Sequence, residues 1–192
     1  MIFTDEFMEP IFIFLEGTMG VPQSLKHHPE GDVFTHSLQV MHQALRETDD
    51  TDLILAAMLH DVGKAGLPLD KRSGHETVGA EWLRDYVSPK TIWLIEQHMR
   101  VWAYLKGEMK RLGKCLYLAN HPWLPELVQL ARWDKMGRRP GWYPMYNRRV
   151  IQSSLNTKGM ARFEGLKEED PAEAAVYLWM LSETGMRSME AR

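Results

Sequence analysis

Histidine, aspartate and lysine fall within five residues in the run Met58-Leu59-His60-Asp61-Val62-Gly63-Lys64, at the end of the apolar stretch from Leu53 to Leu59. Polar groups beside a hydrophobic segment are costly unless each finds a partner. A divalent cation would be such a partner, because neutral imidazole and carboxylate both ligate it. Further donors, His36, His75, His98 and Asp134, recur at intervals that could bring them to the same point. Lys64 follows His60 by four residues and so shares its helical face. A fixed ammonium beside an ion with an open coordination position suits an anionic oxygen, such as a phosphoryl group. Arg138 stands four residues after Asp134, where a guanidinium fork could hold another phosphate oxygen. A set of four histidines and two aspartates suits iron, manganese, nickel, cobalt or zinc better than magnesium, which prefers oxygen ligands. Glu76 could cap a helix N-terminus or orient His75. For His42 and His121 the ordinary packing role stands, while His27 and His28, in a loop, could contact a substrate. Among the aromatics Trp102, Tyr104, Trp133, Trp142, Tyr143 and Tyr146, core packing is the commoner role, with Trp142 or Tyr143 as candidates for stacking on a nucleobase.

These residues must be positioned by helices, since helical periodicity dominates and alternating β-branched runs are scarce. The pattern predicts helices over about 4–17, 32–47 with Asp32 as N-cap, 53–62, 76–86 and one opened by Ser88-Pro89 that carries His98. Helical signals continue over about 103–118 and 124–136. A break at Arg139-Pro140-Gly141-Trp142-Tyr143-Pro144 precedes a short helix at about 145–154, a loop over 156–169, and a last helix with Asp170 as N-cap and Pro171 at N1. The expectation is an all-α single domain over 1–192, with a metal-binding core at about 28–140 and a helical extension at about 141–192.

Composition limits the alternatives. The 192 residues carry a net charge of −3, so bulk electrostatics do not call for nucleic acid or an anionic membrane. A local basic cluster does stand at Lys135 to Arg139. The single cysteine, Cys115, excludes an intramolecular disulfide and a cysteine-based zinc site and is compatible with a reducing cytosol. The apolar run Ile11 to Leu15 follows Asp5, Glu6 and Glu9, without the basic start of a secretory signal. No segment approaches the roughly 20 apolar residues of a membrane span. A cytoplasmic protein is expected.

The order His36, His60-Asp61, His75, His98, Asp134 resembles the HD-domain superfamily of metal-dependent phosphohydrolases. The segments from His28 to His36, Gly74-His75-Glu76 and Asp134-Lys135-Met136-Gly137-Arg138 are similar to the HD domain of bacterial CCA-adding tRNA nucleotidyltransferases, which has Ala-Arg where Lys135-Met136 stands. That family's nucleotidyltransferase head has no counterpart, because no Gly-Ser pair followed by Asp-x-Asp exists in the chain. The resemblance implies an HD helical bundle and two metal ions. One would be held by His36, His60, Asp61 and Asp134; the other by Asp61, His75 and His98, with Asp61 bridging. It also implies hydrolysis of a nucleotide, cyclic nucleotide or related phosphate ester by a metal-activated water, Asp61 and Lys64 serving catalysis and Lys64 and Arg138 binding substrate. A nucleic-acid end is a further candidate substrate, one that net charge does not favour. The rivals are an HD-type diiron oxygenase, which uses a similar ligand set, and a non-catalytic nucleotide-binding regulatory module.

Overall fold

Capping residues mark where the helices begin. Thr4, Asp32, Asp50, Ser88 and Asn147 each accept a hydrogen bond from a backbone N–H of the turn that follows, contacts worth about 1 kcal/mol apiece. The computed structural model describes residues 3–66 and 74–175. They form α1 (Asp5–Glu16), α2 (Val33–Glu47), α3 (Thr51–Leu59), a short 3-10 helix (Val62–Gly66), α4 (His75–Leu83), α5 (Pro89–Leu105), α6 (Leu112–Ala119), α7 (Leu124–Met136) and α8 (Arg148–Glu169). Among the described residues the only β pairing is an isolated bridge between Pro22 and Asp32. The fold is all-α, as the sequence predicts.

Every residue of α3 is buried, which makes it the central element. Helices α2, α5 and α7 pack around it and against one another, α2 on α7 and α5 on α7. Polar links fix their relative heights. Asp52 of α3 accepts from Ser88 Oγ at 2.5 Å and Thr91 Oγ1 at 3.1 Å. Lys90 bridges Asp50 and Glu126 at 2.6 and 3.0 Å, joining the starts of α3, α5 and α7. At the far end of α2, Glu47 accepts from Trp133 Nε1 of α7 at 3.0 Å and pairs with Arg132. Asp134, the next residue on α7, is thereby set against α2.

The helix ends differ from the sequence expectation where backbone geometry overrides propensity. The third helix stops at Leu59 rather than Val62, and the chain tightens into the 3-10 turn. A Cβ on Gly63 would overlap the backbone of His75 and Gly79, so glycine is what lets this turn press against α4. The stretch expected to be helical over 103–118 is broken, because α5 ends at Leu105 and Gly107 takes a left-handed φ of 68°.

The expected loop at 156–169 is instead the second half of α8. Strong helix formers such as Lys158, Met160, Ala161, Arg162 and Glu164 outweigh Gly159 and Gly165. Tertiary contacts secure it: Asn156 exchanges hydrogen bonds with Phe3 N and O, and Ile151 and Leu155 join the main core. Asp170 caps residues 171–175 as expected, while Tyr177, Leu178 and Leu181 lie outside the described residues. No helix of the described residues is long and apolar enough to cross a membrane.

Candidate metal centre

Five elements deliver the sequence-predicted ligands to one place. His36 lies one turn into α2, His60 caps the C-terminus of α3 and Asp61 follows it, His75 opens α4, His98 lies deep in α5, and Asp134 lies near the end of α7. All are buried except His75, which is partly exposed. Asp61 is central. Its Oδ1 stands 3.0 Å from His75 Nε2 and 3.7 Å from His98 Nε2, and its Oδ2 stands 3.5 Å from His60 Nε2 and 3.8 Å from His36 Nε2. His75 Nε2 and His98 Nε2 are 3.2 Å apart. Asp134 Oδ1 approaches His36 Nε2 to 3.1 Å without hydrogen-bond geometry.

The opposite ring nitrogens are anchored. His60 Nδ1 donates to Ala57 O at 3.1 Å and His98 Nδ1 to Ile95 O at 2.6 Å. His36 Nδ1 meets both Gly137 O at 2.9 Å and Glu30 Oε1 at 2.8 Å. With Nδ1 carrying the hydrogen, each Nε2 lone pair faces the centre. The Nε2 atoms of His36 and His60 are buried with no hydrogen-bond partner. Orphaned buried nitrogens are costly, and a cation between them and Asp61 would satisfy both. Two donor groups meet this geometric requirement, His36–His60–Asp61 and Asp61–His75–His98, with Asp61 common to both. The residues therefore fit a divalent ion with nitrogen and oxygen ligands. A third group, His28–Glu30–His36, is already linked by a hydrogen bond from His28 Nδ1 to Glu30 and a 2.8 Å contact between His36 Nδ1 and Glu30.

For His60, Asp61 and Asp134 the electrostatics favour the protonation states that ligate a cation. Burial pushes the His60 pKa down to about 3, leaving a neutral imidazole. Burial alone would raise Asp61, but His60, His75, His98 and Lys64 hold it well below the usual carboxylate range. For Asp134, burial is likewise outweighed, by His36, His60 and Arg138, and the carboxylate stays ionised. His36 is opposite in sense: burial disfavours its charge, yet Asp134, Glu30 and Asp61 raise its pKa to about 9.

Above the centre lies a cleft of about 580 Å³ whose lining includes Asp61, His75, His98, Asp134 and the cations Lys64, Lys106, Lys135 and Arg138. Lys64 donates to Asp61 Oδ2 at 2.6 Å and Gln23 Oε1 at 2.7 Å. This corrects the expectation that it shares a face with His60, since the helix has ended and 3-10 geometry aligns residues three apart. Arg138 stays beside Asp134, donating to its Oδ1 at 2.8 Å and its backbone oxygen at 3.2 Å. His27 and His28 also line the cleft, whereas His42 packs on Trp142 and His121 stacks on Trp93 at 3.7 Å. Trp142 and Tyr143 line a separate groove on the other side of α2, so they are not the stacking platform the sequence suggested. Glu76 Oε2 is 3.7 Å from His75 Nδ1, too far for a hydrogen bond.

Sequence reasoning missed Glu30, Gln23 and the Gly137 carbonyl. Glu30 is almost fully buried and serves both His28 and His36. Its burial and its reach back to α2 come from the fold of the loop, and no local pattern marks them.

The HD-domain pattern matches residues 33–136, just over half of the chain. The chain belongs to the HD-domain family. Curated relatives include multifunctional CCA proteins from Halorhodospira halophila, 41% identical over 73 residues, and from Methylococcus capsulatus, 41% identical over 75 residues. A third, from Thioalkalivibrio sulfidiphilus, is 42% identical over 69 residues. These matches cover 36%, 38% and 34% of this chain but only 18%, 18% and 17% of the relatives. The chain thus matches less than a fifth of their length, within the HD region. The family carries metal-dependent hydrolase chemistry, and the clustered histidines and aspartates of this HD domain are suited to a divalent metal.

Proposed function

We propose that this HD domain is a phosphohydrolase acting on a nucleotide, cyclic nucleotide or related phosphate ester, with two transition-metal ions sharing Asp61. The observation that carries the reading is the pair of orphaned Nε2 atoms on His36 and His60, turned toward a carboxylate that also belongs to the His75–His98 group. His36, His60, Asp61 and Asp134 would hold one ion, and Asp61, His75 and His98 the other. Iron, manganese, nickel, cobalt and zinc suit these donors. When bound, such ions acidify water and polarise a phosphoryl oxygen.

The chain's own groups supply the rest. Lys64, clamped between Asp61 and Gln23, presents a cation at the cleft floor where phosphoryl charge accumulates. Arg138, steadied by Asp134, offers donors to a further phosphate oxygen. Burial of His36, His60, Asp61 and His98 limits bulk water at the floor and fixes ligand orientation. The similarity to CCA proteins favours a nucleotide over a simple ester, and the single cysteine agrees with a cytoplasmic location.

The test is metal analysis followed by phosphate-release assays on nucleotides, cyclic nucleotides and simple esters with manganese, nickel, cobalt and magnesium. Metal-dependent release under anaerobic conditions is expected. Oxygen consumption by an iron-loaded protein without phosphate release would overturn the hydrolase reading in favour of oxygenase chemistry.

A further inference from the structure

Beyond His98, one wall of the cleft is not used by the chemistry above. His98, Trp102 and Lys106 line the cleft at four-residue intervals, on α5 and its C-cap, and so form one stripe from the metal floor toward the mouth. At a rise of about 1.5 Å per residue, Trp102 lies about 6 Å and Lys106 about 12 Å beyond His98 along the helix axis. Trp102 is half-buried, packing against the core while lining the cleft. Within the described residues, Trp102 is the one tryptophan whose indole has neither a ring neighbour nor a hydrogen-bond partner. Trp82 stacks on Phe14, Trp93 and Trp123 meet each other and His121, Trp133 donates to Glu47, and Trp142 meets His42 and Arg139. Lys106 is exposed and pairs with no carboxylate among the described residues, in contrast to Lys64, Lys90 and Lys158.

We propose that this stripe measures the substrate: with one phosphate on the metal floor, Trp102 stacks on the nucleobase and Lys106 binds a second phosphate. The inference rests on the phosphohydrolase reading for its first contact and names the substrate class more narrowly, a nucleotide bearing two phosphates. An unpartnered indole beside a polar floor offers an apolar face that every nucleobase can cover. The four-carbon stem of Lys106 lets its ammonium fold back toward a phosphate near the indole edge. A nucleoside bisphosphate and the phosphorylated end of a single strand share this chemistry.

Calorimetric titration of the manganese-loaded protein tests the proposal without relying on turnover. The probes are inorganic phosphate, adenosine monophosphate, adenosine 3′,5′-bisphosphate and a 5′-phosphorylated dinucleotide. Affinity should rise from phosphate to monophosphate to a two-phosphate probe. Trp102→Leu should lower the preference for adenosine monophosphate over phosphate about tenfold, and Trp102→Phe should restore most of it. Lys106→Ala, at an exposed position, should weaken the two-phosphate probes up to about fivefold more than the monophosphate. The two-phosphate probe that depends more on Lys106 identifies the source. Equal wild-type affinity for phosphate and all nucleotides, or equal losses across the probes in both variants, would overturn the proposal. The predicted binding pattern without hydrolysis of any ester would sustain the stripe and reject the hydrolase reading; hydrolysis indifferent to both residues would do the reverse.

Discussion

Asp61 is the residue on which the two donor groups depend, because each oxygen faces a different pair of histidines. On the proposed two-ion reading, Asp61→Ala should therefore bring metal content and turnover to background while leaving the helical circular dichroism signal largely intact. His75→Ala should remove one ion and retain the other. Elemental analysis of the purified variants decides both outcomes; stoichiometric metal with retained turnover in Asp61→Ala would remove the bridging role. His36 gives a pH signature in chelator-treated protein. Its folded pKa of about 9 lies above the ordinary 6.5, so its charge stabilises the fold fully below about pH 6.5. That contribution is lost as pH rises through about 9. The melting temperature of chelator-treated protein should fall across this window, and His36→Asn should flatten the fall. Most of this clustering was legible in the residue types, since imidazoles and carboxylates flanking apolar segments point to an ion. Glu30 and Gln23 were not legible, because their roles arise from a loop folding back across the site rather than from spacing along a helix.

At the scale of elements, the site depends on how closely the turn after α3 approaches α4. Gly63→Ala would force a Cβ against the backbone of His75 and Gly79, neither of which can rotate aside. The cost should be about 1–3 kcal/mol, as for other overpacked positions, and metal affinity should drop because His75 must move. Gly165→Ala, which meets open space in α8, is the control and should be neutral or slightly stabilising. Thermal melts with metal titrations distinguish the two; equal behaviour would mean that the close approach does not matter. The helix starts were readable from Asp32, Ser88-Pro89 and Asp170, whose caps form as expected. The helical 156–169 segment was not, since two glycines and Asn156 read locally as breakers while the hydrogen bonds that secure Asn156 come from Phe3.

For the molecule as a whole, α8 belongs to the core as much as to an extension. Arg148 pairs with Glu9 and Glu16 of α1, and Ile151 and Leu155 are buried in the cluster that contains α3. Burying each such aliphatic side chain contributes about 1.5–3 kcal/mol. A chain ending at residue 140 should melt well below the full chain, with Phe3 deprived of its partners on α8; an unchanged melting temperature would show that the metal-binding core stands alone. The all-α class was evident from periodicity, but this dependence of the N-terminus on α8 arises from contacts about 150 residues apart in sequence and no local pattern announces it.

The Lys64–Asp61 pair also bears on the order of assembly. With its ammonium 2.6 Å from Asp61, Lys64 acts as a built-in counter-ion at the centre of the bundle. Collapse of the helices therefore does not have to wait for an external cation to neutralise that carboxylate. Folding can come first, and an ion bound later would take the place of Lys64 on Asp61 while Gln23 keeps the ammonium at the cleft floor.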